Sequence, residues 1–249
     1  FEIRDIWPLT LTSEGGYKNK NPLIMLMSLI EKIGYKYSDL IIGTMPGLDK
    51  YLNKLNIKNK RFFCSPLGFH KNYNLDSENR DLDEILNLDE KKITIGYAGS
   101  MGISNALDNF IETIILMKDN PNVQFSLVGS GDLRNIYYEK LKNLNNVIFG
   151  PKIPPSLVPY FLDKCDILYL STHDSEVWEY GQSMNKVVDY MLAGKTIIAS
   201  FSGMQSMINE ANCGEFINTK DAKTLKKIFE KYISKGKPHL YETGQRGKD

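Results

Sequence analysis

The stretch "KITIGYAGSMGISNALDNFIETIILMKDNPNVQFSLVGSGD" (92–132) decides the fold. It opens with an apolar run of strand length, 92–99, that closes on glycine. Apolar residues at helical spacing follow: Ala106, Leu107, Phe110, Ile111, Ile114 and Ile115. A second apolar run, 123–129, again closes on glycine. Ser104 stands where an N-cap would open the intervening helix, expected over 104–119. The strands are continuous apolar runs rather than alternating ones. Such runs belong to parallel strands covered by helices on both faces.

The pattern extends outward on both sides. Strands are expected at 146–150, 166–172, 195–201 and 214–218. Helices are expected over 132–143, 154–164, 184–193, 203–212 and 221–235, the last opened by Asp221. Short connections and repeated strand–helix alternation give an α/β fold, an open, doubly wound parallel sheet with right-handed crossovers. Residues 1–70 repeat the alternation in shorter form. A helix over 21–38 begins with Asn21 as N-cap and Pro22 in the first turn, and strands flank it. The acidic, polar stretch 71–91 reads as a connector. The expected division is a partial domain (1–70), the connector (71–91), the main domain (92–235) and a terminal segment (236–249). The opening "FEIRDIWP" reads as a strand already under way, and "YETGQRGKD" stops without a closing element. Both ends suggest a piece of a longer protein.

Composition narrows the function. Of 249 residues, 42% are apolar and 24% charged, as in soluble globular proteins with room for a core. The net charge of +1 provides no global field to draw in nucleic acid. Cys64, Cys165 and Cys213 are scattered, with no zinc-type or redox spacing, so a reducing, cytoplasmic setting is expected and no metal site. No apolar run approaches the roughly 20 residues of a membrane span. The helix segment 23–37 is rich in Met and Leu and ends in Lys and Tyr. It has two readings, ordinary core and a peripheral contact with a bilayer.

Ligands on such sheets sit beyond the carboxyl ends of the strands. The segments "GSMGIS" (99–104), "GSGDLR" (129–134), "GPKIPP" (150–155), "THDSEVWEYGQS" (172–183) and "SGMQ" (202–205) are therefore where chemistry belongs. The glycines at 96–102 suit either a phosphate cradle or a tight strand–helix turn, and their spacing is not the dinucleotide fingerprint. Arg134 is placed to pair with phosphate, and Asp132 to open the next helix. Ser183 is read as the N-cap of the following helix. Lys186 falls in the first turn of that helix, where the positive end disfavours a cation unless an anion is near. Asp189 shares its face and suits the paired hydroxyls of a ribose. The plain alternative is a surface Lys–Asp pair worth about 0.3–0.5 kcal/mol. His173, Asp174 and Glu176 lie in the longest loop without a second histidine, which leaves His173 as a sugar or acceptor contact. Trp178 and Tyr180 suit stacking on a sugar or simple packing, and His70 and His239 have no context.

At "YAGSMG", "VGSGDLR", "GPKIPPSLVPYFLDKCDILYLS", "YGQSMNKVVDYMLAGKTIIAS" and "INEANCG" the chain resembles family 4 (group 1) glycosyltransferases of the GT-B fold. It is similar in particular to bacterial O-antigen and capsule enzymes of the N-acetyl-L-fucosamine transferase type. "FEIRDIWP" looks like a segment late in their N-terminal domain. The resemblance implies retaining transfer from a nucleotide sugar, UDP-linked, to a glycan or lipid-linked acceptor at the inner face of the membrane. It also implies no required cofactor or metal. By it, Gly99, Ser100 and Gly102 meet the diphosphate through backbone amides, and Gly129 and Gly131 leave room for the nucleotide. Lys152 and Ile153 read the base, Gln182, Ser183 and Lys186 contact phosphate or donor sugar, and Asp189 replaces the usual ribose-binding Glu. The sequence departs from the pattern at Ser100 and Asn105, where Arg and Lys are common, and at Gly181, where the first Glu of a spaced pair would stand. Arg134, Lys186 or Arg4 must then supply the missing charge. No catalytic histidine of the N-terminal domain is identifiable. Two alternative readings are a nucleotide-sugar 2-epimerase of the same fold and a non-catalytic nucleotide-binding fragment or partner subunit.

Overall fold

A computed structural model describes residues 1–57, 61–69, 79–218 and 221–248. The chain forms two compact units. The first holds residues 1–68, 173–185 and 202–206, and the second holds the remainder.

The first unit is built on a parallel sheet of β1 (Glu2–Ile3), β2 (Leu40–Gly43) and β3 (Arg61–Cys64), in that order. The helix Pro22–Tyr37 starts as expected, with the Asn21 side chain accepting from the Leu23 amide and Pro22 in the first turn. Ile3, Ile6, Tyr35, Ile41, Leu48, Tyr51, Val177 and Tyr180 pack as one core. Tyr180 sets its ring edge against Tyr51 at 5.1 Å, so packing accounts for this aromatic residue. Buried in the unit, Glu31 accepts hydrogen bonds from the Tyr35 hydroxyl (3.0 Å) and the Tyr51 hydroxyl (2.8 Å).

The second unit carries the doubly wound sheet. Its strands are β4 (Ile93–Ala98), β5 (Val123–Val128), β6 (Val147–Phe149), β7 (Ile167–Ser171), β8 (Thr196–Ser200) and β9 (Gly214–Ile217). All pairs are parallel, in the order β6-β5-β4-β7-β8-β9. Every residue of β4, β5, β7 and β8 is buried, which is why these strands read as unbroken apolar runs. Phe110 stacks on Tyr169 at 4.2 Å in the core beneath one helical layer. Asp221 caps the helix Ala222–Ile233 by accepting from the Thr224 amide at 2.8 Å.

Several local expectations change. The helix read over 104–119 spans only Asp108–Leu116. Before it comes a tight 3-10 turn, Ile103–Asn105, and a left-handed Ala106 (φ 45°). Ser104 lies within that turn and does not cap the helix. The turn is held from afar, because the Ser171 hydroxyl reaches the carbonyls of Asn105 (2.7 Å) and Ala106 (3.2 Å). The helix read over 203–212 shrinks to Met207–Glu210.

The grouping of the chain also differs from the expected division. Residues 173–185 and 202–206 belong with the first unit. Residues 79–91 hold a helix, Arg80–Leu86, capped by Asn79 and assigned to the second unit. The rest of the expected connector, 71–78, and His70 lie outside the described residues. The terminal segment forms a helix, Gly236–Gln245, tied to the second unit by Thr196 Oγ1 donating to the Leu240 carbonyl (2.7 Å) and Gln245 to the Gly194 carbonyl (3.1 Å). Among the described residues no helix is long and apolar enough to cross a membrane.

Candidate functional site

The strand order of the second unit reverses between β4 and β7. Crevices of open α/β sheets form at such a switch point, outside the carboxyl ends of the strands. The loops after β4, β5 and β6 and the helix leading into β8 carry most of the residues singled out from the sequence.

The first two loops lock onto each other through glycines. Gly99, Gly129 and Gly131 have φ of 148°, 145° and 147°, a region that favours glycine. A Cβ on Gly129 would lie 1.8 Å from the Gly99 carbonyl oxygen, and one on Gly131 would lie 2.6 Å from the Met101 carbonyl carbon. The side-chain space missing at 129 and 131 is thus filled by the 99–101 backbone. Backbone hydrogen bonds complete the lock: the Gly99 amide donates to the Val128 carbonyl (3.1 Å) and Met101 to Ser130 (2.7 Å). The Gly99 amide is therefore committed, while those of Ser100 and Gly102 make no such bond among the described residues. Ser100 is exposed and the space beside Gly102 is open except for the Ser100 hydroxyl.

Arg134 is also part of this framework. Its Nε donates to the Gly129 carbonyl (3.1 Å) and its Nη2 to the Gly150 carbonyl (3.0 Å), and the guanidinium lies over the Phe149 ring at 5.0 Å. Two of the donors of this side chain, read from sequence as a phosphate partner, hold loop carbonyls. In the third loop Lys152 is exposed and Ile153 buried.

Lys186 is the distinctive group. It sits near the start of the helix Asn185–Leu192 and aims its ammonium at the first glycine loop. A Cβ on Gly99 would lie 2.9 Å from Nζ. Nζ donates to the Tyr97 hydroxyl (3.0 Å) and to Asn105 Oδ1 (3.1 Å), and rests 4.4 Å from the centre of the Tyr97 ring. Among the described residues no carboxylate pairs with it. Loss of water around the ammonium pushes its pKa down from 10.5 to about 8. Burial likewise raises Asp189, one turn further along the helix.

Tyr97 links the cation to the loop. Its buried hydroxyl accepts from Lys186 and donates to the Ser100 carbonyl at 2.5 Å. Sequence reading missed Tyr97 and saw Asn105 only as a missing charge. The available signal was a tyrosine two residues before Gly99 in a strand of otherwise small and β-branched residues.

The structure brings Gly99, Ser100, Gly102, Gly129, Gly131, Arg134, Lys152, Ile153, Lys186 and Asp189 into the second unit. It places His173, Gln182 and Ser183 in the first. His173 is exposed. Both polar atoms of the Gln182 amide are buried without a hydrogen-bond partner, a costly state that a polar ligand would relieve. The helix after Ser183 starts two residues later, at Asn185. Among the described residues no group of three or more His, Cys, Asp or Glu is placed to hold a metal ion.

A family profile described as "Glycosyl transferases group 1" matches residues 92–235. No curated protein matches the chain. Among solved structures it is similar to sucrose-phosphate synthase from Thermosynechococcus elongatus, with a TM-score of 0.70, 17% identity, and 96% of this chain covering 59% of that one. It is similar to WaaG, a glycosyltransferase involved in lipopolysaccharide biosynthesis (0.70, 16%, 98% of this chain and 67% of that one). It is also similar to Anabaena Alr3699/HepE in complex with UDP (0.70, 16%, 99% and 65%). At such identities these likenesses bear on the fold, which is α/β with parallel sheets, of the GT-B type. The chain spans about six tenths of the length of the first of these structures.

Proposed function

Because the chain belongs to the group 1 glycosyltransferases, we propose that it carries the donor side of a transferase moving a sugar from a nucleotide diphosphate donor, UDP-linked and with retention, to a glycan or lipid-linked acceptor. The observation that carries this reading is the Lys186 ammonium, desolvated, with no carboxylate partner among the described residues, and held against a glycine loop at the switch point. A buried cation served only by neutral acceptors is costly, and an arriving diphosphate would offset that cost.

In this reading the roles are those that the resemblance suggests. The free amides of Ser100 and Gly102 and the Lys186 ammonium meet the diphosphate. Asp189 takes the ribose hydroxyls, and the backbone at Lys152 and Ile153 faces the base. Gln182, Ser183 and His173 serve the donor sugar or acceptor. Arg134, with two donors engaged, acts mainly by holding the loops in shape. The leaving diphosphate gains charge as the glycosidic bond breaks. Fixed amides and a cation already in place stabilise it without reorganisation. Asn105 stands where the resemblance puts a lysine, and the Lys186 ammonium bonds to its side chain. The charge missing from one loop is thus supplied by a different helix. The acceptor side has a lipid-linked substrate and a peripheral membrane contact in this reading.

Calorimetric titration with UDP tests the proposal. Micromolar to millimolar binding that weakens in Asp189→Ala by about 1.5–3 kcal/mol is expected, as for a lost charged hydrogen bond. A folded protein that shows no heat with UDP or any other nucleoside diphosphate would sink it.

A further inference from the structure

Lys186 is a nucleophile in reserve as well as a cation. Its nitrogen gives one hydrogen to the Tyr97 hydroxyl (3.0 Å) and one to Asn105 Oδ1 (3.1 Å). Both partners only accept at that nitrogen, because the Tyr97 hydroxyl donates its own hydrogen to the Ser100 carbonyl. They therefore hold two hydrogens and leave the lone pair of a neutral amine unclaimed. Loss of water brings the pKa of this lysine down to about 8. At that pH about half of the side chain is free amine, against roughly one part in three hundred for an ordinary lysine. Lys195 shows the opposite arrangement: its side chain is only 16% exposed, but it is paired with Asp163 at 3.1 Å.

The space for a reacting atom lies beside that nitrogen. The atoms nearest to a Cβ placed on Gly99 would be Lys186 Nζ (2.9 Å), Lys186 Cε (3.1 Å) and Tyr97 Oη (3.5 Å). A ligand atom at that point is within about 3 Å of the amine, the separation from which a bond can form. The next donors along the loop are the Ser100 and Gly102 amides, which make no backbone hydrogen bond among the described residues. Ser100 is exposed and Lys186 partly so, which leaves an approach from solvent. An amine and an anion cradle thus stand side by side. They suit an electrophile whose leaving group is a phosphate.

We propose that Lys186 is a site of acylation by small acyl phosphates, with the phosphate held on the glycine loop and the carbonyl carbon beside Gly99. The inference rests on the donor reading only in taking that loop as an anion site. The amine nitrogen attacks the carbonyl carbon and a C–N bond forms. The C–O bond to phosphate breaks and its electron pair leaves with the phosphate. The proton shed by nitrogen ends on the released phosphate, so the products are an amide and hydrogen phosphate. The free amides stabilise the charge gathered by the leaving group. The amide that remains has no positive charge and fills the space beside Gly99. Nucleotide diphosphate is then excluded, and the supply of acyl phosphate sets the fraction of protein able to bind it.

The test is treatment of the folded protein with acetyl phosphate at pH 8, with acetylation at each lysine followed by peptide mass spectrometry. Lys186 should react at least about tenfold faster than the exposed Lys152 and Lys223, given its larger share of free amine. Inorganic phosphate should slow the reaction at Lys186 and leave the two exposed lysines unaffected. Asn105→Asp sets a carboxylate against the nitrogen and should bring Lys186 down to the rate of the exposed lysines, with circular dichroism unchanged. Fully acetylated protein should give no heat with UDP. Acetylation of Lys186 no faster than that of Lys152 and Lys223 would overturn the proposal, and so would a rate indifferent to phosphate. Untreated protein that binds UDP but is not selectively acetylated refutes this inference alone. Selective, phosphate-sensitive acetylation of protein that gives no heat with UDP upholds it and sinks the donor reading.

Discussion

Each unit holds a charged side chain out of water, Glu31 in the first and Lys186 in the second, and the two are treated in opposite ways. In the first unit Glu31 is enclosed by two phenol donors, Tyr35 and Tyr51, inside the unit's core cluster. In the second, the Lys186 ammonium has two neutral acceptors, Tyr97 and Asn105, and borders a glycine loop with two amides to spare. Burial moves both toward neutrality, raising Glu31 and lowering Lys186. Glu31 has hydrogen bonds suited to a carboxylate and no opening for a ligand is needed. Lys186 has a cradle that positions it without neutralising it. On the proposed reading, the contrast separates a polar group kept for shape from one kept to meet an anion.

The largest effect that would break this contrast comes from Glu31→Ala. It leaves two buried hydroxyls without acceptors and opens a cavity, and should cost about 3–4 kcal/mol in urea unfolding. If nucleotide affinity of the folded variant fell as well, Glu31 would belong to the site rather than to the scaffold.

Lys186→Met should behave in the reverse sense. UDP affinity should fall by about 2–3 kcal/mol in calorimetry. The ligand-free fold should be as stable as wild type or about 1–2 kcal/mol more so, because a desolvated charge is gone. A large loss of stability would make Lys186 a structural residue. The pH dependence carries the same information. With its folded pKa at about 8 against an ordinary 10.5, the lysine penalises the ligand-free fold below pH 8. That penalty is relieved as pH rises from about 8 toward 10.5. A bound anion favours the charged lysine, so affinity is full below pH 8 and declines above it. Lys186→Met should flatten both profiles.

Tyr97→Phe is the smallest and sharpest test. It removes the hydroxyl that joins Lys186 to the Ser100 carbonyl but keeps the ring under the ammonium. A loss of about 1 kcal/mol in UDP affinity, with unfolding shifted by less, would mark Tyr97 as a positioning residue. An equal loss in both would reduce it to packing.

Much of both units was legible because its signals are local. Asn21 with Pro22, Asp221 before its helix, and the buried runs of β4, β5, β7 and β8 all carry their structure in adjacent residues. The misread pieces depend on distant partners. The apolar period from Ala106 onward looks helical, yet the Ser171 hydroxyl draws the carbonyls of 105–106 into a turn from 65 and 66 residues away. The Arg80–Leu86 helix is too short for a period to show, and its sequence looked like a polar linker. At the site, the sequence could mark Lys186 as an unexplained cation. It could not show that Asn105 and Tyr97 receive it, or that Arg134 spends two donors on carbonyls.

The polypeptide leaves the second unit after Thr172, rejoins it at Lys186, leaves again after Phe201 and rejoins at Met207. This has an evolutionary consequence. No single genetic crossover can exchange either unit whole between two relatives. A hybrid gene joined at Gly68 and Phe69 would bring Val177 and Tyr180 from one parent into a core whose other residues come from the second. Recombinants should survive where those two positions keep their size and shape, so the pair acts as a compatibility filter on domain shuffling.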